Sequence, residues 1–97
     1  MNIWVHPDAL ADLADARDYY RKQVGLSLSA NFIFEFERTT HLLMMYPAFG
    51  TPSVDGIRKQ TMRRFPYTVV YKLIGNELRV LAVAHQSRKP GFWRGRQ

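Results

Sequence analysis

His85, Arg63, Arg64, Arg88 and Trp93 are the residues of this chain whose types and spacing suit chemistry. His85 is the only histidine in the C-terminal half, and an imidazole titrates near neutrality. It follows an apolar run, Leu78 to Ala84, at a point where a side chain can reach a cleft. Arg88 lies three residues further on. Cleavage of an RNA phosphodiester needs a base for the 2′-hydroxyl, cations for the charge that develops on phosphorus, and an acid for the leaving oxygen. His85 with Arg88 and Arg63 could supply such a set. On an extended strand Arg63 and Arg64 point to opposite faces, so only one of them could join it. The plainer reading of His85 is a strand-end histidine packed against the tail. Arg58 reads as a strand-edge cation that pairs with a carboxylate. Phe92 and Trp93 stand among Arg88, Lys89, Arg94 and Arg96. Aromatic rings interleaved with cations can stack bases; alternatively, Trp93 anchors the tail on the sheet while the arginines stay in water.

These side chains need elements to hold them. Asn2 to Val5 reads as a short strand. Pro7 suits the first turn of a helix, and Asp8 faces its N-terminus favourably. Leu10, Leu13, Ala16, Tyr20 and Val24 recur at helical spacing from Asp8 to Val24, which leaves Asp8, Asp12, Asp15 and Asp18 for the solvated side. Gly25 is a stop signal. Ser27 or Ser29 can cap a second helix, whose stripe is Phe32, Ile33, Phe36, Thr40 and Leu43. Phe34, Leu42, Met44 and Met45 fall partly outside that stripe, as core residues or, if exposed, as a seat for a partner helix. Pro47 ends the helix. The segment from Pro47 to Gly56 is a loop by composition.

Three strand-like runs follow: a basic one from Ile57 to Phe65, a β-branched and aromatic one from Tyr67 to Ile74, and the apolar run from Leu78 to Ala84. Gly75-Asn76 is a hairpin signal between the last two. The order β-α-α-β-β-β predicts one α+β domain over 1–97. Its expected form is an antiparallel sheet with an N-terminal helical pair packed on one face.

Charge divides along the same line. Up to Tyr46 there are 4 basic and 6 acidic residues, a balance of −2. From Pro47 onward there are 10 basic and 2 acidic residues, a balance of +8. A field this lopsided favours an anionic partner for the C-terminal half. The chain has 97 residues and no cysteine, which excludes a disulfide framework and thiolate metal sites. The three histidines lie far apart in sequence, so no metal site and no cofactor are expected. No apolar run approaches the roughly 18 residues of a membrane span. A cytoplasmic protein is the expectation.

The chain resembles the ParE/RelE superfamily of toxins from type II toxin–antitoxin modules, in particular its ParE-like branch. The residues that carry the resemblance are Asp12-Leu13, Tyr19-Tyr20, Ala30, Phe32, Pro47, Gly50 and Arg58, then Phe65-Pro66-Tyr67 with Val70-Tyr71. Val80 to His85 follows, with Arg88, Pro90 and Trp93 behind it. Their order and spacing extend over essentially the whole chain. The resemblance implies a small basic toxin of a plasmid-stabilising module, neutralised by an acidic antitoxin. It also implies a target, either DNA gyrase or messenger RNA on the ribosome. Nucleases of the RelE branch carry a basic residue directly after the strand tyrosine and a tyrosine near the C-terminus. Here Tyr67 is followed by Thr68, and Phe92 and Trp93 cannot act as acids. The resemblance therefore favours gyrase inhibition by protein–protein contact, with Arg58, Arg63, Arg64, Arg88 and Trp93 as the target-binding residues. The alternatives are a ribosome-dependent endoribonuclease using His85, Arg63 and Arg88, and a non-catalytic nucleic-acid-binding module.

Overall fold

A computed structural model describes residues 1–96. The elements run β1 (Asn2–Val5), α1 (Pro7–Gln23), α2 (Leu26–Met45), β2 (Thr51–Pro52), β3 (Ile57–Thr61), β4 (Tyr67–Ile74) and β5 (Glu77–His85). The sheet order is β1-β5-β4-β3-β2. The α+β expectation holds, with two differences: the segment expected as a loop contributes the short strand β2, and β1 runs parallel to β5, from Asn2 opposite Glu77 to Val5 opposite Val80. The other pairings are antiparallel. A parallel neighbour needs a crossover, and here the whole helical pair with the β3–β4 hairpin supplies it.

Helix α1 starts where Pro7 needs no hydrogen-bond acceptor and the His6 Nδ1 accepts the Asp8 N–H at 3.0 Å. Its buried residues are Ala9 and Ala16, with Leu13 and Tyr20 packed beside them, while Leu10 and Val24 are exposed. Leu13, Ala16 and Tyr20 of the expected stripe thus face the core, while Ala9 replaces Leu10 at its start and Val24 drops out at its end; small alanines let the helix approach β5 closely. Helix α2 begins at Leu26 after Gly25, without a side-chain cap; the Ser29 hydroxyl instead donates to the Leu26 carbonyl. Its inward stripe is as expected, with Phe32, Phe36, Thr40 and Leu43 buried.

The core lies between the helices and one face of the sheet. Tyr20, Phe32, Phe65 and Tyr67 form an aromatic cluster with ring centroids 5.1–6.2 Å apart, mostly edge to face, an arrangement that the ring quadrupoles favour. The opposite face of the sheet carries a second, smaller cluster of Val70, Ala82, Ala84 and Trp93. Strand β5 is therefore covered on both sides, as its continuous apolar run predicts.

Two devices close what the strands leave open. Strand β1 stops at Val5, so the outer edge of β5 beyond Val80 has no strand partner. Asp12 of α1 takes its place: its Oδ2 accepts the Val83 N–H at 3.1 Å, and Arg96 Nη1 donates to both Asp12 Oδ2 at 2.8 Å and the Leu81 carbonyl at 2.9 Å. Asp12 is thus not on the solvated face where its helical spacing puts it, because the unpaired edge of β5 lies directly beneath it. The second device fixes the loop after α2. Tyr71 Oη donates to the Pro47 carbonyl at 2.7 Å and accepts the Gly50 N–H at 3.0 Å. Only glycine fits at Gly50, because a Cβ there would sit 2.5 Å from Tyr71 Oη.

Candidate functional site

The end of the sheet where β3 finishes, β4 begins and β5 finishes gathers most of the expected site residues. Thr61, Thr68 and Ala84 share one register across the three strands. Beyond them the 62–66 segment turns back, held by the Met62 N–H on the Tyr67 carbonyl and the Gln86 N–H on the Pro66 carbonyl. Met62 and Phe65 point into the core and Arg63 and Arg64 stay exposed. Strand β3 thus ends four residues before Phe65, and Arg63 and Arg64 are turn residues, not opposite faces of a strand. The turn requires a left-handed backbone at Arg64, φ 68°, a conformation that costs a non-glycine residue about 1 kcal/mol or more. Such a cost persists where the surrounding structure over-determines it. Here buried Met62 and Phe65 on either side do so.

His85 is the last residue of β5. Its ring stands edge-on to Tyr67 with centroids 5.0 Å apart. Its Nδ1 accepts the Ser87 N–H at 3.0 Å and lies 2.7 Å from Ser87 Oγ. An N–H donor aimed at Nδ1 requires a lone pair there, so the neutral ring carries its proton on Nε2. In this network His85 offers the outside an N–H donor. A base for a 2′-hydroxyl would need the opposite.

Arg88 shares two hollows with His85. One, of about 150 Å³, opens on the face away from the helices and is also lined by Lys59, Thr68 and Trp93. The other, of about 200 Å³, lies on the helix side with Asp15, Tyr19 and Tyr67. Arg63 lines neither; it belongs to a hollow against α2 with Arg38, Thr39 and Gln60. The structure therefore brings His85 and Arg88 together and holds Arg63 apart from them. The Arg88 guanidinium lies over the Phe92 ring, 4.0 Å from its centroid, a contact that holds the cation without neutralising it.

The two other expected contact residues face inward. Arg58 donates through Nη1 to the Gly50 carbonyl at 2.7 Å and the Ala48 carbonyl at 3.1 Å. It has no carboxylate partner among the described residues; with Tyr71 it holds the loop after α2. Trp93 is 8% exposed and packs the tail onto Val70, Ala82 and Ala84, with the Lys59 ammonium 4.6 Å from its ring centroid. It positions the tail rather than presenting a ring for stacking. Tyr71, Asp12 and Arg96 organise these surfaces, a role the sequence does not reveal: it places Asp12 and Arg96 in water and marks Tyr71 only through the resemblance. A buried tyrosine and an in-register carboxylate carry no local pattern that separates them from ordinary strand and helix residues.

Burial raises the Tyr71 phenol above its ordinary value, against the lowering effect of the Gly50 N–H and the Arg58 charge. Burial likewise raises Tyr20 and Tyr67, each helped by a neighbouring tyrosine. No group of three or more histidine or acidic residues that could hold a metal occurs among the described residues. No helix among them is long and apolar enough to cross a membrane.

Comparison with known proteins agrees with this architecture. A solved structure described as "Chromosomal ParDE TA system from P. aeruginosa" superposes with a TM-score of 0.78 at 24% sequence identity, covering 88% of this chain and 95% of the other. That likeness establishes the fold. No curated protein matches the chain in sequence. The sequence profile of a family described as "ParE toxin of type II toxin-antitoxin system, parDE" matches residues 3–90, most of the chain, including α1, α2, strands β2 to β5 and all of β1 but Asn2. The chain belongs to the ParE toxin family of type II toxin–antitoxin systems.

Proposed function

We propose that this toxin arrests growth by binding DNA gyrase through protein contact, in the cytoplasm, without covalent chemistry of its own. The observation that carries the reading is that Arg63 and Arg64, on the turn after β3, and Arg88, in separate hollows with His85, all stand exposed, while His85 has Nδ1 closed by Ser87. Exposed guanidiniums form planar, bidentate pairs with carboxylates and are suited to a protein interface. Arg58 and Trp93 serve this surface indirectly, by holding the loop after α2 and the tail. An acidic antitoxin silences the toxin. Phe34, 66% exposed, and Met45, 58% exposed, on the outer side of α2 suit an apolar face of such a partner.

The test is supercoiling by purified gyrase in the presence of the purified toxin. Inhibition is expected, and the charge-reversed pair R63E/R64E should weaken it at least tenfold. A ribosome-dependent mRNA cleavage that leaves supercoiling untouched and disappears with His85→Ala would overturn the proposal in favour of the nuclease alternative.

A further inference from the structure

Arg88 is exposed on the segment after β5 and takes part in no ion pair among the described residues. What its guanidinium touches is the Phe92 ring, 4.0 Å from the centroid. Fixing a long arginine side chain costs more rotamer freedom than one exposed cation–π contact returns. The contact can hold Arg88 only if the ring beneath it is already held.

The Phe92 ring is held from two directions. Trp93, buried on the sheet, meets it edge-on with centroids 5.4 Å apart. The Arg96 guanidinium also lies over it, 5.1 Å from the centroid. Two cations therefore share one ring, and because both distances run to the same centroid their charges are at most about 9 Å apart. That is close to the screening length of about 8 Å at physiological salt, so the two charges would repel if both were bare. Arg96 is not bare. Its Nη1 lies 2.8 Å from Asp12 Oδ2 and its Nε 3.6 Å from Asp8 Oδ2. The Asp12 and Arg96 side chains are only 12% and 14% exposed, so salt screens this pair little.

Asp12 thus does more than close the edge of β5. An amide oxygen could accept the Val83 N–H as well as a carboxylate does, so that bond does not demand a charge. The charge is what allows a second guanidinium onto the Phe92 ring. We infer that Asp12, Arg96 and Phe92 are positioning residues for Arg88. Asp12 neutralises Arg96 and fixes it at the β5 edge, Arg96 and Trp93 fix the Phe92 ring, and the ring fixes Arg88. A carboxylate on α1 in this way sets where a cation stands beside His85. For its effect on toxicity the inference rests on Arg88 being a target contact; the arrangement of the side chains does not.

Relaxation of the arginine Nε–H groups, measured by nitrogen-15 NMR on the full chain, tests the arrangement without any target. Asp12→Asn keeps an oxygen for the Val83 N–H and removes the charge. Phe92→Leu removes the ring and leaves Asp12 and the β5 edge untouched. In both variants the Arg88 Nε–H should lose the order it has in the unsubstituted protein. Arg58, bonded to the Ala48 and Gly50 carbonyls, should keep its order, and the Val83 amide should keep its exchange protection. A general loosening of the fold would move all three. Inhibition of gyrase supercoiling then tests the consequence. D12N should weaken it about as much as R88A, threefold or more, and D12N/R88A should weaken it no further than R88A alone. Arg88 order unchanged in D12N would overturn the inference, as would losses of inhibition that add in the double variant. If D12N and F92L free Arg88 while R88A inhibits like the unsubstituted toxin, the positioning stands and the role of Arg88 as a target contact falls.

Discussion

The helix-covered face of the sheet is filled by Phe32, Phe65, Tyr67, Tyr71, Leu78 and Val80, all buried, whereas the open face is covered only by the C-terminal tail through Trp93 and Phe92. The same strands supply both. On β5 the side chains of Leu78, Val80 and Val83 go to the large core, and those of Ala82 and Ala84 go to the small one. The cations sort in the same way: Lys59, Lys72 and Arg79 stand on the open face beside the tail. One face therefore holds the protein together, and the other presents charge on a thin apolar support. The +8 half of the chain is not a uniformly basic surface but a basic face and a basic end, with a neutral core behind them.

The contrast breaks most sharply by cutting each face at a large buried ring. Phe32→Ala removes a fully buried ring from the aromatic cluster and should cost about 3–5 kcal/mol, read as the urea midpoint at constant slope. Trp93→Ala should cost less, about 1–3 kcal/mol, because the tail is a chain end that can lift away and admit water instead of leaving a sealed cavity. An equal loss at both sites would mean that the open face contributes to stability on the same footing as the core.

A third comparison uses pH. Tyr20, Tyr67 and Tyr71 belong to the helix side, and burial raises all three phenols. The unfolded chain therefore loses these protons first. Their contribution is complete below about pH 10 and declines as pH rises through the folded values. Alkaline urea titrations should show stability falling above about pH 10. Tyr67→Phe should flatten the fall, and Trp93→Ala should leave its slope unchanged.

The smallest effect concerns the turn that joins the two faces. Arg64→Gly removes the left-handed strain at φ 68° and should stabilise the fold by about 0.5–1 kcal/mol, after the entropy that glycine adds to the unfolded chain. Thermal melting measures it. The same substitution should weaken the toxin's hold on its target, so stability and toxicity would move in opposite directions.

Much of the architecture is legible in the chain. Strand and helix order follow from period and turn chemistry, and the inward stripe of α2 is readable because Phe32, Phe36 and Leu43 are large and regularly spaced. The stripe of α1 is less so: alanines carry little hydrophobic signal, and Leu10 and Val24 mislead by exposing large side chains. The end of β3 is hard to read because no glycine or proline interrupts the run of basic and apolar residues from Ile57 to Phe65. In the fold Met62 and Phe65 are anchored and Arg63 and Arg64 between them are free, which is the pattern of a turn. Within the site, His85 and Arg88 are neighbours in sequence and remain so in space. Arg63 joins them in sequence through its charge and its place on one face of a strand-like run, and neither carries a distance.

Sequence alone determined the family, the α+β class, the division of charge and the list of cations, because these depend on residue order and local periodicity. Tertiary structure alone decided which cations are free. Arg58 and Lys72 are both strand cations of the basic half, yet one is bonded to the Ala48 and Gly50 carbonyls and the other lines an apolar-floored hollow with no ion pair among the described residues. It likewise decided that Asp12 closes the edge of β5, with Arg96 arriving from 84 positions away. A charge acquires its role from the groups that reach it, and those come from segments whose separation along the chain no local pattern records.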